Sequence, residues 1–512
     1  MPEPSTVISP AMSNLRRRSL LVIALLTGIY ALGFLVTWPT ALLVSDEALY
    51  VNQAELFAEG TTRWAVPDAI TSEPSRVLVS DYPPGTSLLQ APLVRIGGWR
   101  AAAVISVAAL VATALVLRRW LEREGRSPWF TLLLLVHPIA LVMGRIAMSD
   151  APSMLVMTSA LSLFWSGLPT ERPDQRETAH PNEVPTVRRW AWPAAGFLTG
   201  LAVLLREPNV LVMAPFVVGA LVRRDRFALR LLVGVLAGGA VRLGVSAVVF
   251  GDPLHVRAAG EYRGLQTQLE ALGLIALALV VMVPGGLIAV AIYHGRRRVE
   301  VMVTVALVVG FFTFYGYSAA QSGILDRLVL TPRFVLPVLP LVVFAAAETM
   351  PRLLDGTRRR RASIGDRRSA SALVAALVVA AIVGSVGAHA AVAQRSRVDA
   401  RVVAAIAEST PSGARLVVNS ASLTKYLGPV AGAQPWVDRT AVPAIGLPSL
   451  LIRKGPVYLV FLDRSDSAFR NEEAASNAAY LDAAGFWCDL TPRFDDRVGN
   501  GLRLRILEAR LR

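Results

Sequence analysis

Long apolar runs, separated by short arginine-bearing stretches, set the pattern of this chain. Runs of roughly 17–25 apolar residues read as membrane-spanning helices, because a helix satisfies its own backbone hydrogen bonds where lipid offers no partner. The spans fall at about Ser19–Thr37, Arg100–Leu117, Trp129–Met143, Ala151–Leu168, Trp190–Leu205, Val210–Val222, Leu229–Phe250, Leu272–Tyr293, Val299–Tyr317, Phe334–Met350 and Ala370–Val392. That makes about eleven spans, or about nine if the two shortest, the fifth and sixth, do not cross. Arginine clusters recur between alternate spans: Arg16-Arg17-Arg18, Arg118 to Arg126, Arg188-Arg189, Arg223 to Arg226, Arg296-Arg297-Arg298 and Arg358 to Arg368. By the positive-inside rule these loops are cytoplasmic, so the N-terminus lies inside and the C-terminus outside.

The pattern divides the chain into a cytoplasmic tail (1–18), a transmembrane region (19–392) with one long outer loop (45–98), and a C-terminal segment (393–512) of different composition. In that last segment Val398–Ile406 and Asn471–Ala484 read as helices. Arg415–Asn419, Val457–Asp463 and Leu502–Leu507 read as strands. Alternating strands and helices predict a small extracytoplasmic α/β domain on an α-helical polytopic membrane protein.

Composition sharpens this picture. The 512 residues are 54% hydrophobic with a mean hydropathy of +0.50, well above a soluble globular chain. The formal charge is +15. It sits between apolar spans, where topology places it, and so argues against nucleic-acid binding. Of the 52 basic residues only Lys425 and Lys454 are lysine, a bias that accompanies GC-rich coding sequence and favours a bacterial source. The single cysteine, Cys488, excludes an intrachain disulfide and a cysteine metal cluster. The first apolar run is too long for a signal-peptide core, so it is expected to remain as an anchor.

The outer loop holds the candidate chemistry. It opens on Asp46-Glu47 at the exit of the first span and carries Tyr82-Pro83-Pro84-Gly85. Two adjacent carboxylates at a membrane exit are costly unless they bind something or react. Ala48–Ala58 is expected to form a short helix in the interface plane, with Leu49, Val51, Leu56 and Phe57 as its apolar members. Other charged outer-face residues are Arg145 with Asp150, Arg206, Arg257, Arg263 and Arg333. Each also has an ordinary reading: an aspartate can cap a helix, and an arginine can snorkel to lipid headgroups.

Asp46-Glu47-Ala48-Leu49-Tyr50, then Tyr82-Pro83-Pro84-Gly85, then Arg145 with Asp150, Gly251-Asp252-Pro253-Leu254 and Pro332-Arg333-Phe334, occur in an order that resembles the GT-C class of polytopic glycosyltransferases. The protein-O-mannosyltransferase-like and aminoarabinose-transferase-like branches are nearest, over about residues 19–350. The resemblance implies an inverting hexosyl- or pentosyltransferase in the cell membrane. Its donor would be a polyprenyl-phosphate-linked sugar and its acceptor an envelope lipid, glycan or protein. It implies Asp46 as general base, Glu47 orienting it or the acceptor, and Asp150 facing the same cavity. Part of the family has a lysine before the Pro-Pro pair, on the donor phosphate; here Tyr82 stands there, which can donate a hydrogen bond but brings no charge. The phosphate charge would then fall to Arg333 first, and after it Arg206, Arg257 and Arg263, with Arg145 beside Asp150. No cofactor is expected, although a divalent cation on a carboxylate stays open. Two other functions fit the sequence: a lipid-linked sugar transporter or flippase, and a non-catalytic envelope assembly factor.

Overall fold

The computed structural model describes the chain except residues 1–9, 68–73, 78–79, 169–185, 257–264, 316–327, 359–364, 412–413, 420–435, 439–441, 443, 455–456, 465–469 and 500–501. Among the described residues five helices are long and apolar enough to cross a membrane: Arg17–Val36, Trp99–Arg123, Ala228–Phe250, Leu328–Arg352 and Ser371–Ser409. Shorter apolar helices, Trp190–Leu205, Glu207–Val222 and Leu265–Val280, pack among them. The chain is a multi-pass α-helical membrane protein.

Helix α1 (Pro10–Val36) leads to α2 (Ser45–Ala58), a two-stranded ribbon of β1 (Trp64–Pro67) and β2 (Pro74–Val77), and α3 (Gly85–Gly97). Helix α2 is covered by protein on most sides. Glu47, Ala48, Tyr50, Val51, Asn52, Gln53, Ala54 and Leu56 are all buried, so the helix has no wet face along most of its length. It packs against α3 instead. The imperfect periodicity of this stretch reflects burial on several sides.

Helix α4 (Ala103–Arg123) forms the second span. The expected third span is broken into a 3₁₀ turn, α5 (Leu132–Leu135) and α6 (Pro138–Met143). Pro138 has no N–H to continue the ladder and holds His137 extended, while His137 Nδ1 accepts from the Ala140 amide. His137 Nε2 lies 3.2 Å from the Ala278 carbonyl of a neighbouring helix, which is its structural use. The expected eighth span is likewise split by Pro284-Gly285. Helix α11 (Leu265–Val280) ends before it, and α12 (Gly286–Ala291) starts after Gly285 at φ 69°.

Between these lie α7 (Asp150–Ser166), α8 (Thr186–Leu205), α9 (Val210–Val222) and α10 (Ala228–Phe250). Helices α8 and α10 meet along two G-x-x-x-G patterns, Gly196/Gly200 and Gly234/Gly238. A Cβ on Gly196 would stand 2.0 Å from the Leu231 carbonyl, and one on Gly234 2.2 Å from the Pro193 carbonyl. Small residues let the two backbones touch. Helix α13 (Arg298–Tyr315), the 3₁₀ stretch Pro332–Val338 and α14 (Leu339–Arg358) complete the core.

Helix α15 (Gly365–Ser409) is continuous through 45 residues. It joins the eleventh span and the expected helix Val398–Ile406 into one rod running into the C-terminal domain. There β3 (Arg415–Val418), β4 (Trp436–Asp438), β5 (Val457–Arg464), β6 (Cys488–Gly499) and β7 (Leu502–Leu511) form a sheet of order β4-β3-β5-β7-β6. The β3–β4 and β3–β5 pairs are parallel; β5–β7 and β6–β7 are antiparallel. Central strand β5 sends Tyr458, Val460 and Leu462 to one face, against Val402 and Ile406 of α15. Val457, Leu459 and Phe461 go to the other face, toward α16 (Leu447–Lys454) and α17 (Arg470–Trp487).

Candidate active site

Asp46 and Glu47 stand in the first turn of α2, and Asp150 opens α7. Helix N-termini favour ionised carboxylates through their free N–H groups and dipole. The two acids of the Asp-Glu pair diverge. Glu47 is buried and reaches back, with Oε2 accepting from the Leu43 amide, one residue before the N-cap Val44, at 2.7 Å. Its Oε1 accepts from the Ala147 amide at 2.9 Å. Glu47 therefore fastens the start of α2 to the loop before α7. Asp46 keeps its side chain 24% exposed and receives Arg333 Nη2 on Oδ2 at 2.5 Å.

Arg333 comes from the 3₁₀ stretch Pro332–Val338, every residue of which is buried. Its side chain is 3% exposed, and its Nη1 lies 3.7 Å from Met148 Sδ. A second pair lies beside the first. Arg206, in the turn between α8 and α9, donates to Asp150 Oδ1 at 2.6 Å, with side-chain exposures of 12% and 1%. Both guanidinium groups sit over the Phe334 ring, Arg333 at 5.0 Å and Arg206 at 4.3 Å from its centroid. Tyr50, one turn after Asp46, donates to Ser149 Oγ at 3.0 Å. Burial, the largest influence, pushes the Tyr50 hydroxyl upward, and the charges of Arg206, Asp150 and Asp46 act on it as well. It stays protonated and serves as a donor.

Tyr82 is buried with its ring centroid 4.9 Å from that of Tyr50, the planes tilted by 55°, and the motif behind it has a backbone reason. A Cβ on Gly85 would meet the Leu204 carbonyl at 2.6 Å, so α3 starts hard against the end of α8, two residues before Arg206. Arg206 and Phe334 border a narrow groove, too tight to admit a water molecule, lined by Pro208, Asn209, Val212, Val308, Phe312 and Pro337. Its walls are mostly apolar, with Asn209 the polar exception and the Arg206 guanidinium at its head. Phe312 and Phe334 stack at 4.9 Å inside it.

The sequence candidates thus separate. Asp46, Asp150, Arg206 and Arg333 come together, with Tyr82 one ring away. Arg145 is buried and turned elsewhere: it donates to Thr37 and to His389. Arg257 and Arg263 lie outside the described residues. Gly251-Asp252-Pro253 forms an exposed turn after α10, with Gly251 left-handed at φ 77°. The sequence reading assigned no role to Thr37, His389 and Ser396, and named Phe334 only within its motif and its span. For His389 the signal was present, since an ionisable residue inside an apolar run is costly without a partner.

Among the described residues no group of three or more His, Cys, Asp or Glu is placed to hold a metal ion. Asp46 and Asp150 each already face a guanidinium, so the donor set as arranged fits a divalent cation poorly. Asp150 Oδ2 is buried without a protein hydrogen-bond partner and is open to a further donor.

The membrane core, the loop helix α2 and the small sheet domain together make the fold of the GT-C glycosyltransferases. ArnT from Cupriavidus metallidurans, in its apo state, matches with a TM-score of 0.62 and 16% identity over 95% of this chain and 97% of that one. The same protein bound to undecaprenyl phosphate matches at 0.63 with the same identity and coverage. An oligosaccharyltransferase from Archaeoglobus fulgidus matches at 0.50, with 13% identity over 93% of this chain and 73% of that one; it has also been solved with Zn and sulfate. No protein-family model and no curated protein matches the sequence.

Proposed function

We propose that this protein is an outward-facing membrane glycosyltransferase. It moves one sugar from a polyprenyl-phosphate donor to a cell-envelope acceptor. The observation that carries this reading is the Asp46–Arg333 pair beside Asp150–Arg206, whose guanidinium heads a narrow, mostly apolar groove. Guanidinium groups beside apolar side chains suit a phosphate with a prenyl tail, and ArnT, of like fold, has been solved with undecaprenyl phosphate. In the reaction the acceptor hydroxyl gives its proton to Asp46 while its oxygen bonds to the anomeric carbon. The carbon–oxygen bond to phosphate breaks, its electron pair leaves with the prenyl phosphate, and the centre inverts.

Transfer takes the phosphate from one negative charge toward two. A guanidinium therefore gains strength as the bond breaks, which is selective stabilisation of the transition state. Arg333 is the phosphate ligand in this reading, with Arg206 behind it. In the resting site Arg333 is paired with Asp46. A donor phosphate competes for Arg333, and its arrival frees Asp46 to receive the acceptor hydroxyl. Asp150 holds Arg206 toward the groove, and Glu47 sets the angle of Asp46. Arginine supplies the charge that a metal or the family's lysine would supply. In this reading the N-terminus and the arginine-bearing loops are cytoplasmic, with α2 and the sheet domain outside; the positive-inside rule supports it.

The test compares arginines, with an undecaprenyl-phosphate-linked sugar as donor. Arg333→Ala should lower kcat more than it raises the donor KM, and Arg333→Lys should recover part of the loss, because lysine lacks the bidentate fork. Tyr82→Phe should cost about 0.5–1.5 kcal/mol, one neutral hydrogen bond. Near-wild-type turnover in both Arg333→Ala and Arg206→Ala would overturn the clamp and favour a bound divalent cation.

A further inference from the structure

Resting on that reading, we infer that His389 and Ser396 of α15 are positioning residues for the reaction, acting on Asp46 and Asp150 from the last membrane helix. His389 is buried, and its Nδ1 lies 2.9 Å from Arg145 Nη1. Arginine can only donate, so Nδ1 accepts and the ring proton sits on Nε2. That nitrogen donates to the Tyr30 carbonyl at 2.9 Å. The imidazole is thereby fixed as one neutral tautomer between α1 and Arg145.

Arg145 Nη1 also donates to the His389 carbonyl at 3.3 Å, and the guanidinium reaches residue 37 as well. Nη1 donates to Thr37 Oγ1 at 2.7 Å and Nη2 to the Thr37 carbonyl at 2.5 Å. Two turns further along α15, Ser396 Oγ accepts from the amides of Thr40 at 3.1 Å and Ala41 at 2.9 Å. Helix α15 therefore grips the segment just before α2 at two points. Through Arg145 it also grips the loop that leads into α7. Glu47 closes the circuit by joining the Leu43 and Ala147 amides. Asp46 and Asp150 hang from this one frame. Its third side is a helix whose later turns carry Val402 and Ile406 into the core of the C-terminal domain. None of these frame bonds touches Arg206 or Arg333, so the frame sets where the carboxylates stand and not how the phosphate is held.

A misplacement of about 1 Å in a reacting group can cost about a hundredfold in rate, so a loosened frame shows in kcat rather than in donor KM. The experiment pairs turnover with amide hydrogen exchange, using full-length protein in detergent. His389→Leu removes the donor and the acceptor together. His389→Gln keeps one of each and is the rescue variant. Gly33→Ala strikes the same ring from α1, because its Cβ would stand 2.6 Å from His389 Cδ2.

His389→Leu and Gly33→Ala should each speed exchange of amides 43–50 and 144–150 by about tenfold or more, a local opening. They should lower kcat by about tenfold or more with donor KM within about twofold. His389→Gln should restore most of both, and Ser396→Ala should speed exchange at 40–50 more than at 144–150. Wild-type exchange in His389→Leu overturns the inference, as does faster exchange with unchanged kcat, or a His389→Gln no better than His389→Leu. If wild-type protein transfers no sugar, the proposed function fails, while the exchange rates still decide the frame.

Discussion

Adjacent in sequence, Asp46 and Glu47 divide the work: one faces Arg333 at the groove, the other holds two backbone amides together. A third acid on the same helix gives a test at this scale. Burial, and secondarily the charge of Glu59, raise Glu55 from 4.5 to about 7. The folded state then binds a proton that the unfolded chain has already lost, so stability falls as pH rises from about 4.5 to about 7. Glu55→Gln should flatten this decline. The apparent Tm of wild type should drop by a few degrees between pH 5 and pH 8 while that of Glu55→Gln holds; an equal drop in both would contradict the assignment. Single residues were legible where chemistry was unusual for its place, as with two carboxylates at a membrane exit. Partners were not legible. No spacing along the chain reveals that Asp46 pairs with Arg333 across 287 positions, or that Arg145 faces His389 across 244.

At the scale of elements, contact between backbones decides what holds Arg206 in place. Helix α8 is pressed on α10 by paired glycines, and its end is pressed on α3 by Gly85. Gly196→Ala should lower Tm and weaken transfer together, at about 1–3 kcal/mol for an overpacked contact. Gly239→Ala is the control, since nothing lies within 4 Å of its Cβ. Removing glycine from a helix interior there should be neutral or stabilising by about 0.5–1 kcal/mol. A destabilised Gly239→Ala beside a neutral Gly196→Ala would reverse this account of the seam. Element type followed from periodicity for the long spans and for β3, β5, β7 and α17. It failed at β6, whose CDLTPRFDDRVG carries charge and a proline. Such residues suit an edge strand, and β6 is the edge of its sheet. It failed also at Trp129–Met143, where hydropathy saw one span and Pro138 made two short helices.

The whole molecule is a helical membrane core carrying a sheet domain on the end of its last helix. Hydropathy and arginine placement make that architecture readable from the chain alone, because lipid imposes one rule on every span. The continuity of α15 from Gly365 to Ser409 was not readable, since the polar turns after Val392 look like a domain boundary. The proposed orientation is testable after Cys488 is replaced by serine. A cysteine at exposed Glu408 should react with an impermeant thiol reagent in intact cells, and one at exposed Arg119 should not. Labelling at Arg119 alone would place α2 and its carboxylates in the cytoplasm.

The proposed reaction draws on the groove, the arginine and the base together, and Asp46→Asn separates them. Wild type and Asp46→Asn would be reconstituted in liposomes with bacterial polyprenyl-phosphate sugars and envelope acceptors. Mass spectrometry would follow both the freed prenyl phosphate and the glycosylated product. Asp46→Asn cannot take the acceptor proton, so its turnover should fall by about 10²–10⁴. The same change releases Arg333, so binding of undecaprenyl phosphate should be as tight as in wild type or tighter. Turnover within about tenfold of wild type would contradict Asp46 as the base.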